Sequence, residues 1–183
     1  MASGLFSPHQ HPKMATALLL APLVSSTGSL LFAWDQHLFL STLIKPELAD
    51  GGHSEAVLGP YWRALFPAGL SQVVGLLSVT TWTSVGAIAA CRGLLQRRGA
   101  ASWYAAAVAL AVGHLLYVPL VARRIEFMSA EESSEHGRRG KTRVQVQREW
   151  LTVNLVRMLT TDLGAWACCL VAVSKALGLG SLP

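Results

Sequence analysis

Three long stretches of the chain, 14–34, 64–91 and 99–122, contain no Asp, Glu, Lys or Arg, and a fourth apolar run extends over 158–177. Each is at least as long as the roughly 20 residues with which a helix crosses a bilayer. A backbone in hydrocarbon must satisfy its own hydrogen bonds, so apolar runs of this length are predicted to be helical. The expected spans are about 14–44, 65–91, 102–123 and 145–177, and the predicted fold is all-α, a four-helix transmembrane bundle forming a single polytopic domain over residues 1–183.

The first connection holds Pro46, Gly51, Gly52, Gly59 and Pro60, which break helices and favour turns. The third connection, 124–144, carries a polar stretch at 131–141 that is expected to be mobile and solvent-exposed. No internal repeat is visible. With 52% hydrophobic residues and a mean hydropathy of +0.42 over 183 residues, there is no room for a separate soluble domain. Lys13 and the apolar residues after it imitate a signal peptide, but the run continues past any plausible cleavage point and is expected to be an uncleaved first span.

Charge and cysteine content narrow the partners. The net charge is +5, and nearly all its carriers lie outside the spans, so contact with anionic lipid accounts for it and nucleic acid is not expected. Cys91 and the adjacent Cys168 and Cys169 suggest neither a disulfide framework nor a zinc site. Lys45, Arg63 and the basic residues from Arg123 to Arg148 outnumber those on the side of Lys13, Arg92, Arg97, Arg98 and Lys175. By the positive-inside rule the first and third connections are expected to be cytosolic. Self-association into a homo-oligomer stays open.

Polar residues inside the spans recur at helical spacing. Thr27, Trp34, His37 and Ser41 share one face of the first helix; Trp103, His114, Tyr117 and Arg124 fall on one stripe of the third; Trp150, Asn154, Arg157 and Thr161 repeat the pattern in the fourth. The second adds Gln72 and the run Thr80-Thr81-Trp82-Thr83-Ser84. Hydroxyls in membrane helices usually bond their own backbone or a neighbour, and tryptophans near span ends usually anchor at the interface. Ionisable groups are different. Arg157 at membrane depth costs roughly 2.5–3.5 kcal/mol on insertion scales and so marks a functional site or a buried ion pair.

His37, His114, Asn154 and Arg157, with Asp35 and Asp162, cannot all face lipid. Asp162 follows Arg157 by five residues, about 140° around an α-helix, so each is expected to find its partner on another helix, Asp35 being one candidate for Arg157. Two histidines on different helices raise haem ligation, yet the chain has no Cys-x-x-Cys-His, His-x-x-His or Glu-x-x-His spacing. No metal, flavin or haem is expected.

Trp103-Tyr104, then Val118-Pro119-Leu120, then the run from Arg148 to Arg157 with its Trp150-x-x-x-Asn154-x-x-Arg157 segment, followed by Gly164, resemble the anthrone oxygenase-like family of small four-span membrane proteins. Tyr61-Trp62 ahead of the second span is similar too. The resemblance covers most of 16–177, and departs from the family after Pro119, where Arg123-Arg124-Ile125-Glu126 replaces a Thr-Asn-Asn-like element.

The resemblance implies a membrane-embedded tailoring enzyme of fungal-type secondary metabolism, a cofactor-independent oxygenase acting on a hydrophobic polyketide such as an anthrone, with molecular oxygen as co-substrate. Proton removal from an activated methylene gives an anion that reacts with oxygen directly, so the protein must supply a base and a cation. On that reading His114 or His37 is the base, Arg157 and Asn154 hold the substrate oxygens, and Trp34, Trp82, Tyr117 and Trp150 are walls of a pocket that also includes Asp35 and Asp162. The same pocket suits cyclisation, a pericyclic reaction or isomerisation of a polyene or terpenoid; a non-catalytic membrane scaffold is the third reading. The expected location is the endoplasmic reticulum or a related endomembrane.

Overall fold

The computed structural model describes residues 12–49, 52–130 and 140–179. Among these every regular element is a helix: α1 (Pro12–Thr42), α2 (Pro46–Ala49), α3 (His53–Ala90), α4 (Arg92–Arg97), α5 (Ala101–Gly113), a 3-10 turn (His114–Tyr117), α6 (Val118–Ser129), α7 (Arg143–Arg157), a π segment (Met158–Asp162) and α8 (Leu163–Leu177). Four continuous rods are long and apolar enough to cross a membrane: Lys13–Thr42, His53–Ala90, Ala101–Ser129 and Arg143–Leu177. They pack in a ring, first on second, second on third, third on fourth and fourth on first. Gly51 and most of the expected mobile stretch, residues 131–139, lie outside the described residues.

The second span begins a full twelve residues before the expected Leu65, because Gly59 and Pro60 sit within α3 and do not end it. Proline removes one donor and frees one carbonyl, and neighbouring helices make that tolerable inside a bundle. One turn beyond Pro22 in α1, Ser25 Oγ donates to the carbonyls of Ala21 at 3.0 Å and Pro22 at 3.3 Å, and meets Thr80 Oγ1 of α3 at 2.8 Å, tying the first span to the second.

Two apolar clusters close the ends of the bundle. One gathers Leu19, Ala87, Leu95, Tyr104, Cys169 and Ala172 with their neighbours, Tyr104 donating its hydroxyl to the Leu19 carbonyl at 2.8 Å. The other gathers Leu40, Leu58, Trp62, Met128, Trp150 and Leu151, with Trp62 and Trp150 edge to face at 5.0 Å. Small residues let the rods approach: a Cβ added at Gly164 would stand 3.1 Å from Leu110 Cδ1.

The start of the fourth span is fastened to the second and third. Thr142 and Gln145 form a reciprocal capping box at the head of α7. There the Glu55 carboxylate accepts the backbone N–H groups of Arg143 and Val144, both at 3.0 Å, an anion placed at the positive end of the helix dipole. Arg143 donates to the carbonyls of Glu55 at 3.2 Å and Ala130 at 2.8 Å. These bonds set the rotation of α7, and with it the direction of the polar stripe that follows.

Candidate functional site

Between the two apolar clusters lies a polar layer built mainly on the fourth span. Asn154 of α7 is fully buried. Its Nδ2 donates to the Ala33 carbonyl of α1 at 3.1 Å, and its Oδ1 accepts from Arg157 Nη2 at 2.7 Å. An amide that bridges a neighbouring backbone to a guanidinium fixes both the helix pair and the cation's direction.

Arg157 and Asp162 are only 6% and 4% exposed, and Arg157 Nε stands 3.4 Å from Asp162 Oδ2. That separation is an ion pair without hydrogen-bond geometry, and both Nε and Oδ2 lack a hydrogen-bond partner. The expectation that these residues could not pair within one helix is corrected here. It assumed the α period, whereas Met158–Asp162 is a π segment. Its i→i+5 repeat lays the fifth residue over the first, so Asp162 returns to Arg157. Asp35, the partner considered from sequence, is exposed.

The other carboxylate oxygen reaches across to the third span. Asp162 Oδ1 lies 2.8 Å from His114 Nδ1, and His114 is 7% exposed. A carboxylate accepts, so Nδ1 carries a proton, and in the neutral ring that leaves the Nε2 lone pair as the basic site. His114 opens the 3-10 turn that interrupts the third span. The arrangement is therefore a buried relay, Ala33 carbonyl to Asn154 to Arg157 to Asp162 to His114, held from three spans.

His114 and Arg157 line a small cleft of about 10 Å³, room for about one water molecule, together with Ser29 and Phe32 of α1 and Val73, Leu76 and Leu77 of α3. Cavities that enclose drug-sized ligands usually measure about 300–1,000 Å³, so a large substrate needs the helices to part. Chemically, the site offers a base with a fixed tautomer and a cation to hold an anion in a space of low polarity. No group of three or more His, Cys, Asp and Glu side chains among the described residues is placed to hold a metal ion.

The remaining candidates fall elsewhere. Trp34 and Trp82 are 52% and 71% exposed, and neither lines the cleft. Trp150 is buried, but against Trp62 in the core and one turn before Asn154. Tyr117 is half-buried and bonds Thr160 Oγ1 at 3.0 Å, bracing the π segment. His37 is half-buried with an unpartnered Nδ1, and the cleft lining does not include it. Ser29 and Phe32 were not anticipated, since an isolated Ser and an isolated Phe in a span carry no sequence signal. Gln147 was missed too: fully buried on the stripe that leads to Asn154, it accepts from Trp62 Nε1 at 2.7 Å.

No family model matches the chain, and no solved structure does. Curated relatives do. It is 28% identical over 169 residues to the probable epoxidase scpX of Mollisia scopiformis, covering 87% of this chain and 96% of that protein. It is 30% identical over 172 residues to epoxidase pydX of an Acremonium species, covering 87% and 94%, and 30% identical over 169 residues to epoxidase gkaX of Penicillium citrinum with the same coverage. At that identity across nearly the whole of both chains, this protein belongs to the epoxidase family that includes pydX and gkaX.

Proposed function

We propose that the chain is an integral-membrane epoxidase of secondary metabolism, using molecular oxygen on a hydrophobic, polyketide-derived substrate drawn from the bilayer of an endomembrane. The observation that carries this reading is the buried His114–Asp162 pair, 2.8 Å apart, with Arg157 beside it at the cleft. The family membership supplies the reaction class, and the earlier likeness to anthrone oxygenases agrees with oxygen chemistry that needs no flavin or metal.

The chemistry balances without an external reductant. His114 Nε2 takes a proton from an activated substrate carbon, and Arg157 stabilises the resulting anion. The anion adds oxygen and, once reprotonated, is a hydroperoxide. Its outer oxygen passes to a carbon–carbon double bond, which becomes the epoxide, and the inner oxygen remains as an alcohol. Asp162 keeps the histidine in its basic tautomer and stabilises the imidazolium formed in the first step, in the way a triad carboxylate does. The electrons all come from the substrate.

Expression in a fungal host that makes the precursor, under isotope-labelled dioxygen, tests this. Two labelled oxygens from one dioxygen are expected in the product. One labelled oxygen, with a need for added reductant, would remove the cofactor-free step and keep the epoxidase. A product isomeric with its precursor would replace oxygenation by cyclisation.

A further inference from the structure

Hydroxyls along α1 mostly return to the helix they stand on. Ser26 donates to the Leu23 carbonyl at 3.1 Å, Thr27 to Leu23 at 2.8 Å and Ser41 to Leu38 at 2.8 Å, the usual resolution for Ser and Thr in a membrane helix. Ser29 does not. Its Oγ is buried without a hydrogen-bond partner, and it lines the cleft beside His114 and Arg157.

Gln36, seven residues along the same helix, has the same property: its Oε1 is buried and unpartnered. Seven residues are about two turns, so the two polar atoms share one face of α1 and stand about 10 Å apart along it. Phe32 lies between them. Across the seam α3 presents Gly69, where an added Cβ would stand 3.8 Å from Gln36 Nε2 and 3.9 Å from Phe32 Cζ. Gly69 therefore packs against this stretch with no side chain of its own, and Phe32, which also lines the cleft, reaches from the cleft toward Gln36. Buried polar atoms without partners are uncommon and call for an explanation. Two on one face, in line with a cleft, fit a ligand that supplies what the protein lacks.

We propose that the α1–α3 seam is the substrate channel, taking an elongated apolar molecule whose reacting bond lies beside Ser29 and His114 and whose amide N–H or hydroxyl donates to Gln36 Oε1 about 10 Å away. The proposal rests on the cleft being the reaction site, and it makes Gln36 a specificity-determining residue remote from the chemistry.

Binding of oleamide and methyl oleate to the full chain in lipid nanodiscs, at matched mole fractions, tests it. The two probes share one chain and one mid-chain double bond, and differ in that only the amide has N–H donors. Wild type is expected to prefer oleamide by about five- to tenfold, the worth of one hydrogen bond. Gln36→Met is expected to erase that preference while the ligand-free melting temperature stays unchanged, and His114→Asn is expected to keep it. Equal binding of the two probes by wild type, or a preference that survives Gln36→Met, overturns the channel. A lowered ligand-free melting temperature in Gln36→Met also overturns it, because Gln36 would then be holding the bundle. Binding is read independently of turnover, so failure of the labelled-oxygen experiment with a retained amide preference would sink the epoxidase reading alone.

Discussion

Asp162 serves two residues at once: Oδ1 meets His114 Nδ1 at 2.8 Å from another span, while Oδ2 faces Arg157 Nε at 3.4 Å within its own. A buried cation and a buried histidine thus share one anion. In hydrocarbon neither ion is tolerable alone, so the carboxylate couples the electrostatics of the bundle to the orientation of its basic group.

His114→Asn separates these roles. The asparagine amide can still donate to Asp162 Oδ1, whereas nothing replaces Nε2. Product formation is expected to fall by about 10²–10⁴-fold, the usual worth of a positioned general base. Melting in detergent is expected to stay close to wild type. Product assays on protein matched for folded yield check this, and near-normal turnover would take the base away from His114.

The tryptophans make a second contrast. Trp150 is buried edge to face against Trp62, so Trp150→Ala opens a cavity and is expected to destabilise by about 3–5 kcal/mol. Trp82 is 71% exposed, and Trp82→Ala is expected to stay within about 0.5 kcal/mol of wild type with unchanged turnover. Melting temperatures and product yields of the pair decide it. Lost activity with a normal melting temperature in Trp82→Ala would return that ring to the site.

The spans were legible in the sequence because a charge-free run of membrane length admits little besides a helix. Their ends were not. Gly59 and Pro60 read as breakers, and their tolerance inside α3 depends on neighbours that sequence does not display. Spacing placed Trp150, Asn154 and Arg157 on one stripe, and Asn154 and Arg157 do bond each other. It could not say which stripes face inward, and so Trp34 and Trp82 were drawn as pocket walls although both are exposed. The pairing of Arg157 with Asp162 was hidden by the α period. One signal did point to it: two opposite charges in one apolar run are each too expensive to bury alone.

Changes of length in the π segment exploit that geometry. Deleting the exposed Leu159 would turn the five-residue separation of Arg157 and Asp162 into four, and in an α-helix such residues are neighbours. The ion pair and the packing of α8 are then retained, and the deletion variant is expected to fold. Inserting one alanine after Leu159 makes the separation six and rotates α8 by about 100°, so that variant is expected to lose monodisperse elution and cooperative melting. Equal behaviour of the two variants would mean that the π segment does not set the pairing.

Arg157 and Asp162 can finally be weighed against each other. Asp162→Asn leaves a buried guanidinium hydrogen-bonded to Asn154 but with no counter-charge, a loss expected to cost about 3–5 kcal/mol. Arg157→Gln leaves the carboxylate its bond to His114, so it is expected to cost less. In the double variant no unpaired ion remains, and its loss of stability is expected to fall short of the sum of the single losses by about 0.5–3 kcal/mol, the coupling typical of residues in contact. Activity should not follow stability: the double variant lacks the cation for the developing anion, and turnover is expected to stay at least about tenfold down, equivalent to 1.4 kcal/mol of barrier. Melting and turnover measured on all four proteins separate the roles. Recovery of both in the double variant would make the pair structural only, and recovery of neither would mean that the two charges do not stabilise each other.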